Sequence, residues 1–120
     1  MRILLADDQP KVRFALRTLL DHQPDLKVVG EARNDQDLRD QIEPTGPDVV
    51  LLDWELPGAR ALETLYTLRI MYPALRVIAL SGRSEARQAA LRAGVDAFVS
   101  KSEPPERLLA AIRETASRRE

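Results

Sequence analysis

Residues 49–58 read VVLLDWELPG. Four apolar side chains, Val49-Val50-Leu51-Leu52, run without polar alternation into one carboxylate, Asp53. A short run with no polar face is a strand covered on both sides, as strands of parallel sheets are. The Pro57-Gly58 pair marks the loop that follows. The carboxylate therefore falls where the strand ends. The same pattern recurs on either side. Ile3-Leu4-Leu5-Ala6 leads into Asp7-Asp8, Val77-Ile78-Ala79-Leu80 into Ser81, and Ala97-Phe98-Val99-Ser100 into Lys101.

Helical segments separate these strands. Val12, Leu16, Leu19 and Leu20 share one helical face, and Pro10 suits a first turn. Residues 25–32 (DLKVVGEA) hold a further short strand. Asn34 or Asp35 can cap a helix through Glu43 that Pro44, Gly46 and Pro47 end. With only Leu38 and Ile42 as an apolar face, this helix is expected to be short or loosely held. Leu62, Leu65, Leu68 and Met71 mark the next helix, closed by Pro73. Ser84 can cap an Ala-rich helix that Gly94 terminates, and Pro105 opens a last helix with Leu108, Leu109 and Ile112 inward. Residues 117–120 read as a frayed tail.

Five strand–helix repeats predict an α/β fold, a doubly wound (βα)5 flavodoxin-like three-layer sandwich with right-handed crossovers. Its parallel five-stranded sheet has the order 2-1-3-4-5. That order makes the strands bearing Asp7-Asp8, Asp53, Ser81 and Lys101 contiguous. Ligands in such sheets bind beyond the carboxyl ends of the strands.

The 120 residues fit one domain, 1–120, long enough for a real core. A net charge of −1 gives no electrostatic case for nucleic acid or an anionic membrane as partner. With no cysteine and one histidine, thiolate chemistry and Cys or His metal clusters are excluded. No apolar run approaches a membrane span, so a cytoplasmic protein is the expectation. Lys101 is one of only three lysines beside fifteen arginines. A compact ammonium suits a phosphate or carboxylate in a tight crevice.

Each polar residue has a plain reading beside a chemical one. Asp7-Asp8 either favours the following helix N-terminus or holds a hard cation such as Mg2+, which takes oxygen ligands and relieves adjacent carboxylates. Asp53 either caps its loop or, facing Asp7-Asp8, is a metal ligand or a nucleophile that accepts a phosphoryl group. Ser81-Gly82 is either a turn or a hydroxyl donor with room for a phosphoryl group. Lys101 is either a surface lysine or the cation opposite an incoming phosphate. Their joint placement at one sheet edge favours the chemical readings.

Taken together, Asp7-Asp8, VVLLDWELPG, LSG at Ser81 and AFVSK at Lys101 resemble the receiver domain of bacterial two-component response regulators. ILLADDQPKVRFALRTLL and DLKVVGEA look most like the NarL/FixJ type, which usually precedes a helix-turn-helix output domain. The resemblance covers essentially the whole chain. It implies that Asp53 accepts a phosphoryl group from a sensor histidine kinase or phosphotransfer protein, with slow self-dephosphorylation. Asp8 would bind Mg2+ directly and Asp7 through water, with Asp53 and the backbone carbonyl of Glu55 completing the ligands. Ser81 and Lys101 would hold the phosphoryl oxygens. Phe98 matches the switch aromatic, turning inward as Ser81 moves and repacking the face of the fourth helix, fifth strand and fifth helix. DNA binding would belong to an output domain rather than to this one, and homodimerisation is left open. Two rivals are a degenerate receiver that acts as a dimerisation module without phosphate and a small phosphatase with an Asp nucleophile. The second lacks room for a cap domain.

Three features depart from the family pattern. Ala61 stands where Gly is usual, and a positive φ there would cost about 1 kcal/mol or more. Ser102 follows Lys101 where many relatives have a cis proline, so a trans bond is expected, the cis form costing roughly 3 kcal/mol. Glu55 and Arg83, two residues beyond Asp53 and Ser81, are expected either to pair across the site mouth and slow water or to point apart.

Overall fold

In the computed structural model, which describes residues 1–118, strands and helices alternate from end to end. They run β1 (Arg2–Ala6), α1 (Pro10–Asp21), β2 (Lys27–Ala32), α2 (Asp35–Thr45), β3 (Val49–Asp53) and α3 (Ala61–Met71). After these come β4 (Arg76–Ser81), a 3-10 turn (Ser84–Ala86), α4 (Arg87–Ala93), β5 (Ala97–Ser100) and α5 (Pro105–Arg118). The five strands form one sheet in the order β2-β1-β3-β4-β5, and every pairing is parallel. The fold is thus the flavodoxin-like α/β sandwich expected from the alternation.

The unbroken apolar runs are explained by two cores. Alternate residues of a strand point to opposite faces. Val50 and Leu52 of β3 join Leu4, Leu38, Leu65, Leu68, Val77 and Phe98 on the side of α2, α3 and α4. Val49 and Leu51 join Ile3, Leu5, Leu20, Ile78, Leu108 and Ile112 on the side of α1 and α5. All five residues of β3 are buried, which is why that strand has no polar side chain until its last position.

Helix ends differ from expectation where local chemistry outweighs a simple breaker rule. Asn34 caps α2 by accepting from Asp37 N at 2.8 Å. Pro44 does not end the helix: it forfeits only its own bond to the carbonyl four residues back, Gly46 N still donates to Ile42 O, and Gly46 ends the helix in a left-handed conformation. Thr45 Oγ1 donates to Gln41 O at 2.7 Å, and Arg2 donates to the free carbonyls of Thr45 and Gly46. With Leu38 and Ile42 buried, the eleven-residue α2 is neither short nor loose. Ser84 does not cap α4, because it lies within the 3-10 turn, although Gly94 does terminate the helix with φ 106°. In α3 Leu65 and Leu68 are the apolar side chains that enter the core, with Thr64 buried beside them, while Leu62, Tyr66, Ile70 and Met71 face solvent. Leu109 is partly buried beside the α5 core residues Leu108 and Ile112. Ser117 and Arg118 belong to α5, and Arg118 donates to Asp96 O at 2.9 Å. The remainder of the expected tail, Arg119-Glu120, lies outside the described residues. Among the described residues no helix is long and apolar enough to cross a membrane.

Candidate functional site

Four adjacent strands end at one edge, and their last residues or the loops just after them build a polar crevice. Parallel register aligns these ends: Asp53 pairs with Leu80 and Ser81 with Ser100. Asp7 N donates to Ala32 O at 3.0 Å, Trp54 N to Leu80 O at 2.7 Å and Lys101 N to Ser81 O at 2.8 Å. Each loop therefore leaves the sheet tied to a neighbouring strand, so the side chains converge on rigid backbone.

Asp7 and Asp53 are buried, at 1% and 2% exposure, while Asp8 is exposed. One carboxylate oxygen from each lies within 4.8 Å of the others. Lys101 Nζ stands 2.8 Å from Asp7 Oδ2 and 3.5 Å from Asp53 Oδ2. Asp7 Oδ1 accepts from Gln9 N at 2.8 Å, and Asp53 Oδ1 accepts from Glu55 N at 2.9 Å. Asp7 Oδ2 is buried and meets Lys101 as an ion pair without an aligned hydrogen bond, so it keeps lone-pair capacity. Three carboxylates facing one ammonium leave a local negative excess. This donor set is all oxygen, which fits a hard divalent cation and not a soft one.

Burial pushes the Asp53 carboxyl above its ordinary value. The hydrogen bond from Glu55 N and the charge of Lys101 pull it down, but burial together with the negative charges of Asp7 and Glu55 prevails. Burial alone would lower the Lys101 ammonium. Its close pairing with Asp7 and the charge of Asp53 overcome that, and the group is held as a cation.

Ser81 is fully buried at the end of β4, and its hydroxyl lies 2.9 Å and 3.0 Å from the two carboxylate oxygens of Glu55. Its oxygen accepts from Arg83 N at 3.0 Å. Arg83 Nε lies 3.9 Å from Glu55 Oε2, both side chains being well exposed. Such a surface pair contributes little. The sequence leaves open whether Glu55 and Arg83 pair or point apart; they stand within ion-pair distance, yet the nearer partner of Glu55 is Ser81. The Glu55 rotamer that brings it to Ser81 has no sequence signal. Phe98 is buried at 2% exposure, with the Arg87 guanidinium 5.7 Å from its ring centroid. No described residue other than glycine has positive φ, so Ala61, the first residue of α3, carries no such strain. Gly58 takes the left-handed conformation instead, at φ 111°. Among the described residues no peptide bond is cis, so Ser102 follows Lys101 in trans.

Against this geometry, residues 3–113 match a family model described as the response regulator receiver domain. The chain is 38% identical over 117 residues to the nitrate/nitrite response regulator protein NarL of Escherichia coli K12, covering 96% of this chain and 54% of that protein. It is 34% identical over 111 residues to the transcriptional regulatory protein DesR of Bacillus subtilis, covering 92% and 56% respectively. The chain thus spans about half the length of these relatives. A crystal structure of a LuxR-family two-component response regulator from Aurantimonas sp. superposes with a TM-score of 0.88 at 33% identity, over 97% of this chain and 85% of the other.

Proposed function

The chain belongs to the response regulator receiver domain family, and from that premise we propose that Asp53 is a phosphoacceptor whose modification changes the face of α4, β5 and α5. The phosphoryl donor is a phosphohistidine of a sensor kinase or phosphotransfer protein. A carboxylate oxygen of Asp53 attacks phosphorus, the P–N bond breaks, and the imidazole leaves and takes up a proton. The acyl phosphate is later lost to water.

The observation that carries this reading is one cluster. The Asp53 carboxylate is buried at a strand end, with Asp7 and Asp8 oxygens within 4.8 Å and the Lys101 ammonium 3.5 Å away. Phosphoryl transfer needs little covalent chemistry from a protein and much positioning and charge neutralisation. Lys101 supplies one positive charge to the phosphoryl oxygens. Asp7, Asp8, Asp53 and the backbone carbonyl of Glu55 would hold Mg2+, which when bound neutralises further charge on the same oxygens. Ser81 stands on the same edge with a hydroxyl that can donate to the phosphoryl group. Glu55 N, donating to Asp53 Oδ1 at 2.9 Å, fixes the carboxylate plane and leaves Oδ2 as the oxygen on the Lys101 side. The whole unit, residues 1–120, acts as one signalling domain in the cytoplasm. Its relatives include transcriptional regulators of which it spans about half the length, and in a protein so built the switched face would govern an output segment that binds DNA.

Acetyl phosphate with Mg2+ tests the assignment. Intact-mass measurement is expected to show a gain of one phosphoryl group, absent from Asp53→Asn and absent when Mg2+ is chelated. An unchanged mass in the wild-type chain would overturn the reading and favour a receiver that works by protein contact alone.

A further inference from the structure

We propose that the Glu55 carboxylate is a latch on the switch hydroxyl. It keeps the single proton of Ser81 committed to itself, so Glu55 sets how readily the chain reaches its phosphoryl-bound arrangement. The inference rests on the phosphoacceptor reading and adds to it the residue that opposes switching.

The hydroxyl of a serine has one proton to donate. In this conformation it is directed to Glu55, with 2.9 Å and 3.0 Å to the two carboxylate oxygens. A charged acceptor makes this a stronger bond than a neutral one. The arrangement is braced at the serine oxygen, the exposed Arg83 guanidinium adding little. Arg83 N donates to the Ser81 oxygen at 3.0 Å, and the Arg83 guanidinium stands 3.9 Å from Glu55. Ser81 is fully buried, so no water competes from outside. A phosphoryl oxygen on Asp53 can gain the Ser81 proton only if Glu55 gives it up.

Phe98 does not supply this restraint. Its ring is already inside the core, at 2% exposure. Entry of the ring therefore does not wait on Ser81, and the contact that has to break is the one to Glu55. Phosphorylation itself weakens the latch, because a phosphoryl dianion two residues away repels the Glu55 carboxylate. Glu55 is accordingly a positioning residue that acts through Ser81.

The test is a double-mutant cycle on binding of beryllofluoride, a phosphoryl mimic, in saturating Mg2+, read by titration calorimetry. The chains are wild type, Glu55→Ala, Ser81→Ala and the double variant. Glu55→Ala is expected to tighten binding about tenfold in the Ser81 chain, the scale of one charge-assisted hydrogen bond at a half-exposed acceptor. In the Ser81→Ala background the same change is expected to give less than about twofold. An equal gain in both backgrounds would mean that Glu55 acts only by repelling the anion, and no gain in either would mean that it restrains nothing. Both results overturn the latch while leaving the phosphoacceptor site intact. A wild-type chain that takes no beryllofluoride fails at the earlier step and removes the site and the latch together.

Discussion

The carboxyl of Asp53 sits among forces that do not cancel. Burial and the charges of Asp7 and Glu55 outweigh Lys101 and the hydrogen bond from Glu55 N, and its pKa stands above the ordinary 3.8. A carboxyl raised in the folded state takes up protons more readily there than when unfolded. Its ionisation therefore costs stability, beginning as pH rises past the unfolded value and complete above the folded one. Asp53→Asn is expected to raise the melting temperature at pH 7 by a few degrees, about 1 kcal/mol. The gain should shrink as pH falls through the window just above 3.8 and vanish below it. Scanning calorimetry of both chains between pH 4 and 7 checks this, and a gain that grows toward acid would contradict it. That these polar residues meet at one edge was legible because each one ends an apolar run at a strand end. Their pairings were not. Lys101 lies nearer Asp7 than Asp53, and Glu55 turns to Ser81, through side-chain torsions that spacing does not encode.

Elements meet the site through the loop between β3 and α3. Asp35 N at the start of α2 donates to Pro57 O at 3.0 Å. A Cβ placed on Gly58 would lie 1.6 Å from Asp35 Oδ1, and the residue has φ 111°. The Asp35 side chain is mostly buried and paired with Arg39, so it cannot swing aside freely. Gly58→Ala is therefore expected to cost about 2 kcal/mol or more, a urea midpoint lower by about 1 M. Chemical denaturation measures it, and an unchanged midpoint would mean that the loop is not held by α2. The positive φ considered for Ala61 falls instead at Gly58, three positions earlier, where the loop closes against Asp35. The helices themselves were readable from apolar spacing. Their ends were less so: Pro44 is tolerated in a last turn whose carbonyls Arg2 satisfies from 43 residues away, a tertiary contact with no local trace.

At the scale of the molecule, the sheet order was legible from chemistry as much as from periodicity, since of the two common doubly wound orders only β2-β1-β3-β4-β5 makes the four polar-ended strands neighbours. The consequence is electrostatic. The fold drives the β1 and β3 ends together, and with them three carboxylates whose oxygens lie within 4.8 Å, against one lysine. Repulsion between those ends opposes folding, and a divalent cation bound there relieves it in the folded state only. Binding to the folded state alone stabilises it by RT ln(1 + [L]/Kd), about 1.4 kcal/mol at ten times Kd. Mg2+ at that level is expected to raise the melting temperature of the wild-type chain by about 5 °C. General screening by salt is a different effect, because it acts weakly on buried charges. NaCl at equal ionic strength should therefore give a much smaller shift. Asp8→Asn, which removes a candidate ligand at an exposed position, should weaken the response without unfolding the chain. A thermal shift that NaCl reproduces, or that Asp8→Asn and Asp53→Asn leave unchanged, would place the cation elsewhere on the molecule and deprive the acidic crevice of its assigned role.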